Sequence, residues 1–441
     1  RGAARSVRSG RRRGGKELTR RGKAVLLFFI ACALLSGPTG CWNRNEPETL
    51  ASILSFGLDY DAASGDYEVL VEVANPSALA GGGQDAGSGG GGGGSGAASR
   101  PSQVLVARGR TIFEALRRIE TTMPRQLFWA HTEIVVISEA LARQGLQPVL
   151  DFFSRERQSR LIMTPLITDS PVKELLDAET PLEQVRGEAL LSQLQTIALS
   201  DAVVPETDLR LLLMNLAEPG IDPFLPRATL VQRRQGGQQG TQQGGSQPQD
   251  GRGGTGTTDV VELNGGAAFR GDRLAGWLNN NATRGWFWIT GKAFRGTVVL
   301  PCPDDSGEGF ITVEIYQSYS KIKPAVERGR PRVKVDITVE GRVQELTCTD
   351  LRLGSMVSSQ SLDVILAGAI RDDVYAALGR ARELGSDIFG FGRSFYRTMP
   401  QQWAAYAADW EEVFKSLEVE VTVSARIRRT GLNVESLQQI R

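Results

Sequence analysis

The sequence of 441 residues predicts an α+β fold with more than one domain, in which helices flank mixed and antiparallel sheets. Helical and strand-like periodicities alternate along the first half of the chain, and three alternating runs follow one another between residues 294 and 346. An apolar content of 41% with 23% charged residues is typical of globular proteins. A chain of this length is expected to form two or three domains with cores of their own.

The amino-terminal segment has the pattern of an export signal. Residues 1–23 carry eight arginines and two lysines against one glutamate, a local charge of +9, which leaves −8 for the rest of the chain. A mildly acidic body argues against nucleic-acid binding, which needs a basic face. Residues 24–36 are uncharged and mostly apolar, but they are fewer than the about 20 residues that a membrane-spanning helix needs. We therefore predict a signal peptide over residues 1–40.

Cys41 follows this segment directly, after Pro38-Thr39-Gly40. A small residue before the cysteine is typical of a lipoprotein signal, although Pro38 stands where an aliphatic residue is usual. The first hypothesis is that the Cys41 sulfur receives a diacylglyceryl group and becomes the mature amino terminus. The alternative is a general signal peptide with Cys41 merely nearby. With about 0.8 kcal/mol for each buried methylene, two or three palmitate-type acyl chains would hold the domain on a membrane.

Two glycine-rich stretches suggest how the exported part is divided. We predict a signal peptide at 1–40, an amino-terminal α+β region of one or two subdomains at 41–232, a low-complexity linker at 233–258 and a carboxy-terminal α+β domain at 259–441. Within the first region, residues 80–100 are interpreted as an enlarged hairpin loop between two strands. Both stretches lack the apolar residues needed for a core.

The elements of the first region follow from periodicity. In residues 67–79, valines alternate with mostly polar residues, which predicts a half-buried strand, and residues 103–110 resume as its partner. A helix is expected next, with Ile112, Leu116 and Ile119 on one face. Further elements are expected in this order: a strand and a helix within 132–145, a helix and then a strand within 148–169, and a helix within 180–199.

The second region begins with strand-like patterns at 259–279 and 284–290. The three runs at 294–303, 310–324 and 331–346 predict an antiparallel meander. A long helix follows with apolar residues at helical spacing, and a last strand places three valines on one face. These apolar positions are Leu366, Ile370, Val374, Leu378, Ala381 and Leu384 in the helix, and Val419, Val421 and Val423 in the strand.

The sequence shows no recognisable catalytic or metal-binding motif. The one histidine, His131, beside Trp129, would have to serve any Ser-His-Asp or Cys-His arrangement, and we interpret it as structural. The cysteines and His131 lack the spacing of a metal site, so no metal or cofactor is predicted. The adjacent carboxylates Asp304-Asp305 and Glu411-Glu412 are interpreted as solvated surface, because neighbours on a helix do not face each other.

Two further groups of residues leave alternatives open. Cys302 and Cys348 follow the first and third strands of the predicted meander, where two strand spacings of about 4.8 Å separate them unless the loops close the gap. They either form a disulfide, as an oxidising compartment allows, or remain separate thiols. Trp277, Trp286 and Trp288 form either a ligand platform or the packed face of a hairpin.

Five stretches carry a resemblance to a known family. They are GCWNRNEPETLASILSFGLDYD, RGRTIFEALRRIE, FWAHTEIVVISEALARQGLQPVLDFFSRERQSRL, GAAFRGDRLAGWLNNNATRGWFWI and SDIFGFGRSFYRTMPQQWAAYAADWEEVFKSLEVEVTVSARIRRTGL. They resemble the Ger(x)C family, the C-subunit lipoproteins of spore germinant receptors. The last stretch is the most distinctive, and the resemblance runs nearly the whole length of the exported part.

The resemblance implies a Ger(x)C-type fold and a non-enzymatic subunit. Such a protein would be anchored through Cys41 on the outer face of the spore inner membrane, with membrane-integral A and B receptor subunits as partners. The complex would respond to nutrients and start germination. The family's pattern includes no catalytic residues. The stretch Asp387–Gly392 is a candidate structural turn after the long helix, with partner contact as the alternative.

Two other functions compete with this one. An exported hydrolase of cell-wall or cortex glycan would use paired carboxylates, which need no histidine. A solute-binding lipoprotein would use the tryptophans and a cleft between domains. Membrane attachment after Cys41→Ala and glycan turnover separate these hypotheses.

Overall fold

Two β-sheets with helices packed against them form the fold. The computed structural model describes residues 49–75, 101–178, 185–200, 204–234, 257–292, 296–303, 309–348 and 356–429 and a few isolated positions. The chain divides into a unit Arg1–Leu50 and a unit Ala51–Arg441, and both sheets, apart from Leu50 itself, lie in the second unit. Cys41, the predicted lipid attachment site, lies outside the described residues.

The strands form one large and one small sheet, as an α+β class requires. The strands are β1 Leu50–Asp61, β2 Asp66–Ala74, β3 Ser102–Gly109, β4 Gln126–Phe128, β5 Ile134–Ser138, β6 Thr164–Thr168, β7 Phe224–Arg234, β8 Thr257–Arg270, β9 Arg273–Leu278, β10 Gly296–Pro301, β11 Phe310–Glu327, β12 Arg330–Leu346 and β13 Glu418–Arg429. In the described residues the large sheet has nine strands in the order β3-β2-β1-β5-β6-β7-β8-β9, with β4 paired to β1, and the small sheet has the order β10-β11-β12-β13.

The helices connect and cover these strands. They are α1 Ile112–Glu120, α2 Glu139–Gln144, α3 Gln147–Arg155, α4 Val172–Asp177, α5 Arg186–Ser200, α6 Leu209–Ala217, α7 Asn280–Thr290, α8 Met356–Leu384, α9 Phe391–Thr398, α10 Pro400–Tyr406 and α11 Trp410–Ser416. Helices α1, α2, α3 and α6 share one core with the large sheet, and α4 and α5 share a second core with it. A third core joins the small sheet to α7, α8 and the helices after them.

The amino-terminal half of the large sheet mixes two kinds of pairing. Strands β1, β2 and β3 pair antiparallel, and Ala74 is paired with Ser102 across the stretch 80–100, so the predicted hairpin is present. Strands β5 and β6 join parallel to β1, with helices between them, and β7 continues the parallel part. The helix-and-strand alternation in the sequence therefore corresponds to the parallel strands of this sheet.

The large sheet also continues across the predicted linker. Strands β7 and β8 pair antiparallel from Phe224↔Ala268 to Arg234↔Thr257, and β9 pairs with β8. Residues 233–258 thus join two neighbouring strands of one sheet. The division into regions 41–232 and 259–441 remains a prediction, and any boundary there does not break the sheet.

The small sheet contains the predicted meander and one parallel addition. Strands β10, β11 and β12 pair antiparallel, and β13 joins β12 in parallel, with Val333 paired to Val419. The inward-facing valines of β13 pack against the core that α8 closes. Five of the six apolar residues predicted on the long helix are buried, and Leu384 is partly buried.

Cys302 and Cys348 form a disulfide with a Cα–Cα distance of 5.8 Å. Both residues lie beyond the strand ends, where the chain closes over the beginning of β11 and the Thr347 amide donates to the Phe310 carbonyl at 3.0 Å. Gly309 makes this closure possible: its φ is +93°, and a Cβ atom there would lie 3.0 Å from the Cys302 sulfur. The gap of two strand spacings is thus closed by the loops.

Residues 284–290 form part of helix α7, so the strand-like expectation for them was wrong. The Asn279 side chain caps this helix by accepting from the Ala282 amide at 2.9 Å. All three aromatic residues of the stretch are buried. Because the aromatic residues bury several sides of the helix, the sequence 284–290 shows no helical period of apolar residues. The N-cap at Asn279 was the signal that could have identified the helix.

Candidate functional site

The residues considered for catalysis do not form a catalytic group. His131 is exposed in the turn before β5 and makes an edge-to-face contact with Phe128 at 5.7 Å. The disulfide removes Cys302 and Cys348 as thiolates for a Cys-His pair. Among the residues that the structure describes, no group of three or more His, Cys, Asp or Glu side chains is arranged to hold a metal ion.

The adjacent carboxylates Glu411-Glu412 likewise lack the surroundings of a glycosidase pair. Glu411 pairs with Arg270 and Lys415 at 2.8 and 3.1 Å, and Glu412 pairs with Lys415 at 2.7 Å. These are surface ion pairs of little energetic weight. Asp304 and Asp305 lie outside the described residues.

The three tryptophans do not come together as a single ligand platform. Trp286 and Trp288 lie in α7, where their indole groups donate to the Ile388 carbonyl at 2.8 Å and to the Asp373 carboxylate at 3.2 Å. Trp277 lies in β9 under the guanidinium of Arg227, 4.8 Å from its ring. Two of the three therefore belong to a packed core, on a helix rather than on a hairpin.

The stretch Asp387–Gly392 is the turn between α8 and α9, and it docks on the loop that leads into β7. The Asp387 amide donates to the Asp222 carboxylate at 2.8 Å, and the Asp222 amide donates to the Asp387 carbonyl at 3.0 Å. A third bond runs from the Arg393 amide to the Gly220 carbonyl at 2.6 Å. We call residues 218–224 and 385–393 together the junction.

Asp387 organises its own side of the junction. The residue is 2% exposed, and its carboxylate accepts from the Phe391 amide at 3.0 Å, the Gly392 amide at 2.8 Å and the Trp410 indole at 3.0 Å. The first two donors open helix α9, whose N-cap position is Gly390 with φ +72° and no capping side chain. Asp387 therefore takes over the capping of α9 from three residues earlier.

The glycines let the two sides of the junction approach each other. Gly220 has φ +74°, and a Cβ atom there would lie 2.5 Å from the Arg393 nitrogen and 2.7 Å from the Gly392 Cα. A Cβ atom on Gly392 would lie 2.6 Å from the Trp410 indole nitrogen. The contact is therefore backbone against backbone, which no larger residue permits.

The carboxyl groups of Asp387 and Asp222 in the junction have raised pKa values. Burial raises the pKa of Asp387 to about 6, and the nearby negative charge of Asp222 raises it as well. The hydrogen bonds that the carboxylate accepts act in the opposite direction and lower the pKa. Burial also raises the pKa of Asp222, whose two oxygens accept from the Asp387 and Gly271 amides. Protonation of the junction is therefore favoured in the folded state.

The contribution of Asp387 to stability is expected to fall as the pH rises from 4 to 7. Its folded pKa of about 6 lies above the pKa of 3.8 of an unperturbed aspartate, so the stabilisation is complete below the unfolded pKa and is lost as the pH passes the folded pKa. The loss is at most about 3 kcal/mol. The measurement is the difference in free energy of unfolding between the wild type and Asp387→Asn at each pH.

Asp336→Asn is the matched control, because the Lys323 hydrogen bond lowers the pKa of Asp336. The contribution of Asp336 to stability is present above its unfolded pKa and is lost as the pH falls. The difference in free energy of unfolding between the wild type and Asp336→Asn should therefore change with pH in the opposite direction. If the difference in free energy of unfolding between the wild type and Asp387→Asn stays constant from pH 4 to 7, the raised pKa of Asp387 in the folded state is contradicted.

A second buried carboxylate, Glu72, was missed by the alternating pattern of β2. Glu72 is fully buried and accepts from the hydroxyls of Ser55 and Ser102 at 2.8 and 2.7 Å. It also accepts from the amides of Arg186 and Gly187, both at 3.0 Å, at the start of α5. The strand is therefore covered on both faces, and a glutamate that the pattern placed outward caps a helix instead.

The chain matches two family models that together cover most of its length. Residues 43–230 match the model described as spore germination protein N-terminal domain, and residues 264–431 match spore germination B3/GerAC like, C-terminal. The chain belongs to the Ger(x)C family. Asp222 lies in the first match and Asp387 in the second, so the junction joins the two parts that the Ger(x)C models describe.

Individual Ger(x)C relatives are similar along almost the whole chain. Spore germination protein KC of Bacillus subtilis is 25% identical over 93% of this chain and 96% of its own length. The putative spore germination protein YfkR of the same organism is 27% identical over 93% and 97%. The crystal structure of the GerBC protein shares the fold, with a TM-score of 0.50 and 16% identity over 84% of this chain and 96% of that one.

No helix in the described part of the chain combines the length and the apolar composition of a membrane span.

Proposed function

We propose that this Ger(x)C protein is the lipid-anchored C subunit of a nutrient germinant receptor and contributes to assembly and signalling at the start of spore germination. The observation that carries the proposal is the pair of family matches, which begin at residue 43 and end at residue 431. Cys41 stands two residues before the first match, and only residues 37–40 separate it from the short apolar segment. A cysteine in this place supports attachment through lipid.

The proposed location is the outer face of the spore inner membrane, with membrane-integral A and B subunits as partners. The chemistry of the described residues supports an assembly role. Its most heavily bonded buried groups, Asp387 and Glu72, accept hydrogen bonds that cap helices and fix loops. Each of the two carboxylates accepts two backbone amides at the start of a helix, which is a structural use of the group.

Cys41→Ala is expected to abolish lipid attachment and release the protein from spore membranes. Without the thiol no thioether to lipid forms, and no acyl chain is left to bury in the bilayer. The measurements are metabolic labelling with an alkyne fatty acid and fractionation of spore membranes. Recovery of labelled Cys41→Ala in the membrane fraction at the wild-type level would refute the anchor.

Cys32→Ala is the matched control, because Cys32 lies inside the apolar segment and is predicted to be removed with the signal peptide. This variant should be labelled and retained like the wild type. Co-purification with the A and B subunits tests the assembly role separately. Turnover of cortex glycan by the purified protein would refute the non-enzymatic role.

A further inference from the structure

A cleft beside the junction lies between the end of α7 and residues 204–211, which lead into α6. It contains two cavities of about 210 and 460 Å³. Four residues line both cavities, namely Glu206, Thr207, Leu211 and Lys292. We call the two cavities together the Lys292 cleft.

The inner wall of the smaller cavity is apolar and rigidly held. Phe224, Trp286, Ile388 and Phe389 line it, and each is 5% exposed or less. The Trp286 N–H is already bonded to the Ile388 carbonyl at 2.8 Å, so the indole has no donor left for a ligand. Residues 388 and 389 belong to the junction, whose backbone hydrogen bonds hold them in place. This wall therefore offers apolar and aromatic contact without polar competition.

Two cations, Lys292 and Arg393, line the smaller cavity. The Lys292 ammonium lies 5.0 Å from the centre of the Trp286 ring, and Arg393 lines the same cavity. The Lys292 side chain is exposed overall, but its ammonium group is partly buried, and this burial lowers its pKa. The positive charge of Arg393 lowers the pKa of Lys292 further. Arg393 is joined to Glu218 at 3.6 Å, whereas Lys292 has no carboxylate within ion-pair distance in the described residues.

The two carboxylates that line the smaller cavity, Glu206 and Asp222, do not cancel these charges. Glu206 acts on Lys292 from beyond ion-pair distance and raises its pKa less than burial and Arg393 lower it. Both oxygens of Asp222 accept backbone N–H groups, and burial raises its pKa. An anion placed near both cations would relieve their repulsion.

We infer that the Lys292 cleft binds a small organic acid. Its acidic group would lie near Lys292 and Arg393, and its apolar part against Trp286 and Phe389. A cavity of about 210 Å³ has the volume of about seven waters at about 30 Å³ each, so the site suits a small ligand. The site goes beyond the proposed anchoring role and does not depend on it.

Binding would also strengthen the junction, because the smaller cavity is lined from both of its sides. Ile221 and Asp222 come from the loop before β7, whereas Ile388, Phe389 and Arg393 come from the turn after α8. A ligand that contacts both sides binds the joined state better than the separated one. It therefore raises the unfolding temperature with concentration.

The test is calorimetric titration of the full chain in detergent micelles with benzoate, and with benzamide as the neutral probe of the same shape. Benzoate is expected to bind saturably and to raise the unfolding temperature, and benzamide to bind at least tenfold more weakly. Lys292→Met keeps the apolar stem and should weaken benzoate binding at least tenfold. Lys292→Arg should restore most of it.

Lys323→Met is the control, since Lys323 lies on the small sheet in an ion pair with Asp336 and should leave benzoate binding unchanged. The inference is overturned if the dissociation constant of benzoate is above about 50 mM, which corresponds to less than about 2 kcal/mol of binding free energy. It is equally overturned if Lys292→Met binds benzoate as the wild type does. Neither outcome bears on attachment through Cys41.

Discussion

Gly220→Ala is expected to lower the free energy of unfolding by about 4 kcal/mol. An alanine at φ +74° costs about 1 kcal/mol or more because its Cβ approaches the carbonyl oxygen. The larger part of the loss comes from the backbone of Gly392 and Arg393, which the new methyl would meet at 2.7 and 2.5 Å. Since backbone atoms cannot rotate away, the junction must open. Chemical denaturation measured by circular dichroism gives the value.

Gly329→Ala is the matched control for this substitution. Gly329 has nearly the same backbone angle, φ +75°, but a Cβ atom there meets nothing within 4 Å. It should therefore show the conformational cost alone, about 1 kcal/mol. Equal losses in the two variants would mean that the close approach at the junction contributes nothing to stability.

Removal of the disulfide is the second large effect. Replacing Cys302 and Cys348 together by alanine is expected to cost about 4 kcal/mol, because the bond closes a loop with a sequence separation of 46 and thereby restricts the unfolded chain. Both cysteines are buried at the same edge of the small sheet, and alanine fills their place without adding a polar group. Thermal unfolding of the variant and of the wild type measures the loss.

Reduction of the wild-type protein gives an independent check. Dithiothreitol should lower the unfolding temperature of the wild type towards that of the double variant and leave the variant unchanged. A reduced wild type as stable as the oxidised one would show that the bond carries no net stability.

Much of the fold could be predicted, because a helix or strand with one buried face shows its period within a short stretch of sequence. The long helix shows its period at Leu366, Ile370 and Val374, and β13 shows its alternation at the valines, so both were identified. The α7 stretch and Glu72 were not identified, because an element covered on several sides has no exposed face to set a period. The sequence signal for α7 is the helix cap at Asn279. The role of Glu72 emerges only in the structure, where it accepts from the Arg186 amide at the start of α5.

The junction shows a different limit of sequence reasoning. The turn at Asp387–Gly392 could be predicted from its glycines, but its partner Asp222 is 165 residues away. No periodicity relates positions at such a separation. The pairing of β7 with β8 across residues 233–258 was missed for a similar reason, because composition describes the connection and not the strands that it joins.

The two hairpin pairings have a consequence for how this chain changes in length. Ala74 is held opposite Ser102, and Arg234 opposite Thr257, whatever number of residues connects them. Doubling such a connection costs only about 0.6 kcal/mol in closure entropy. Insertions and deletions at these two places are therefore nearly neutral for folding. An epitope or fluorophore placed there would report on the protein in living spores without disturbing either sheet.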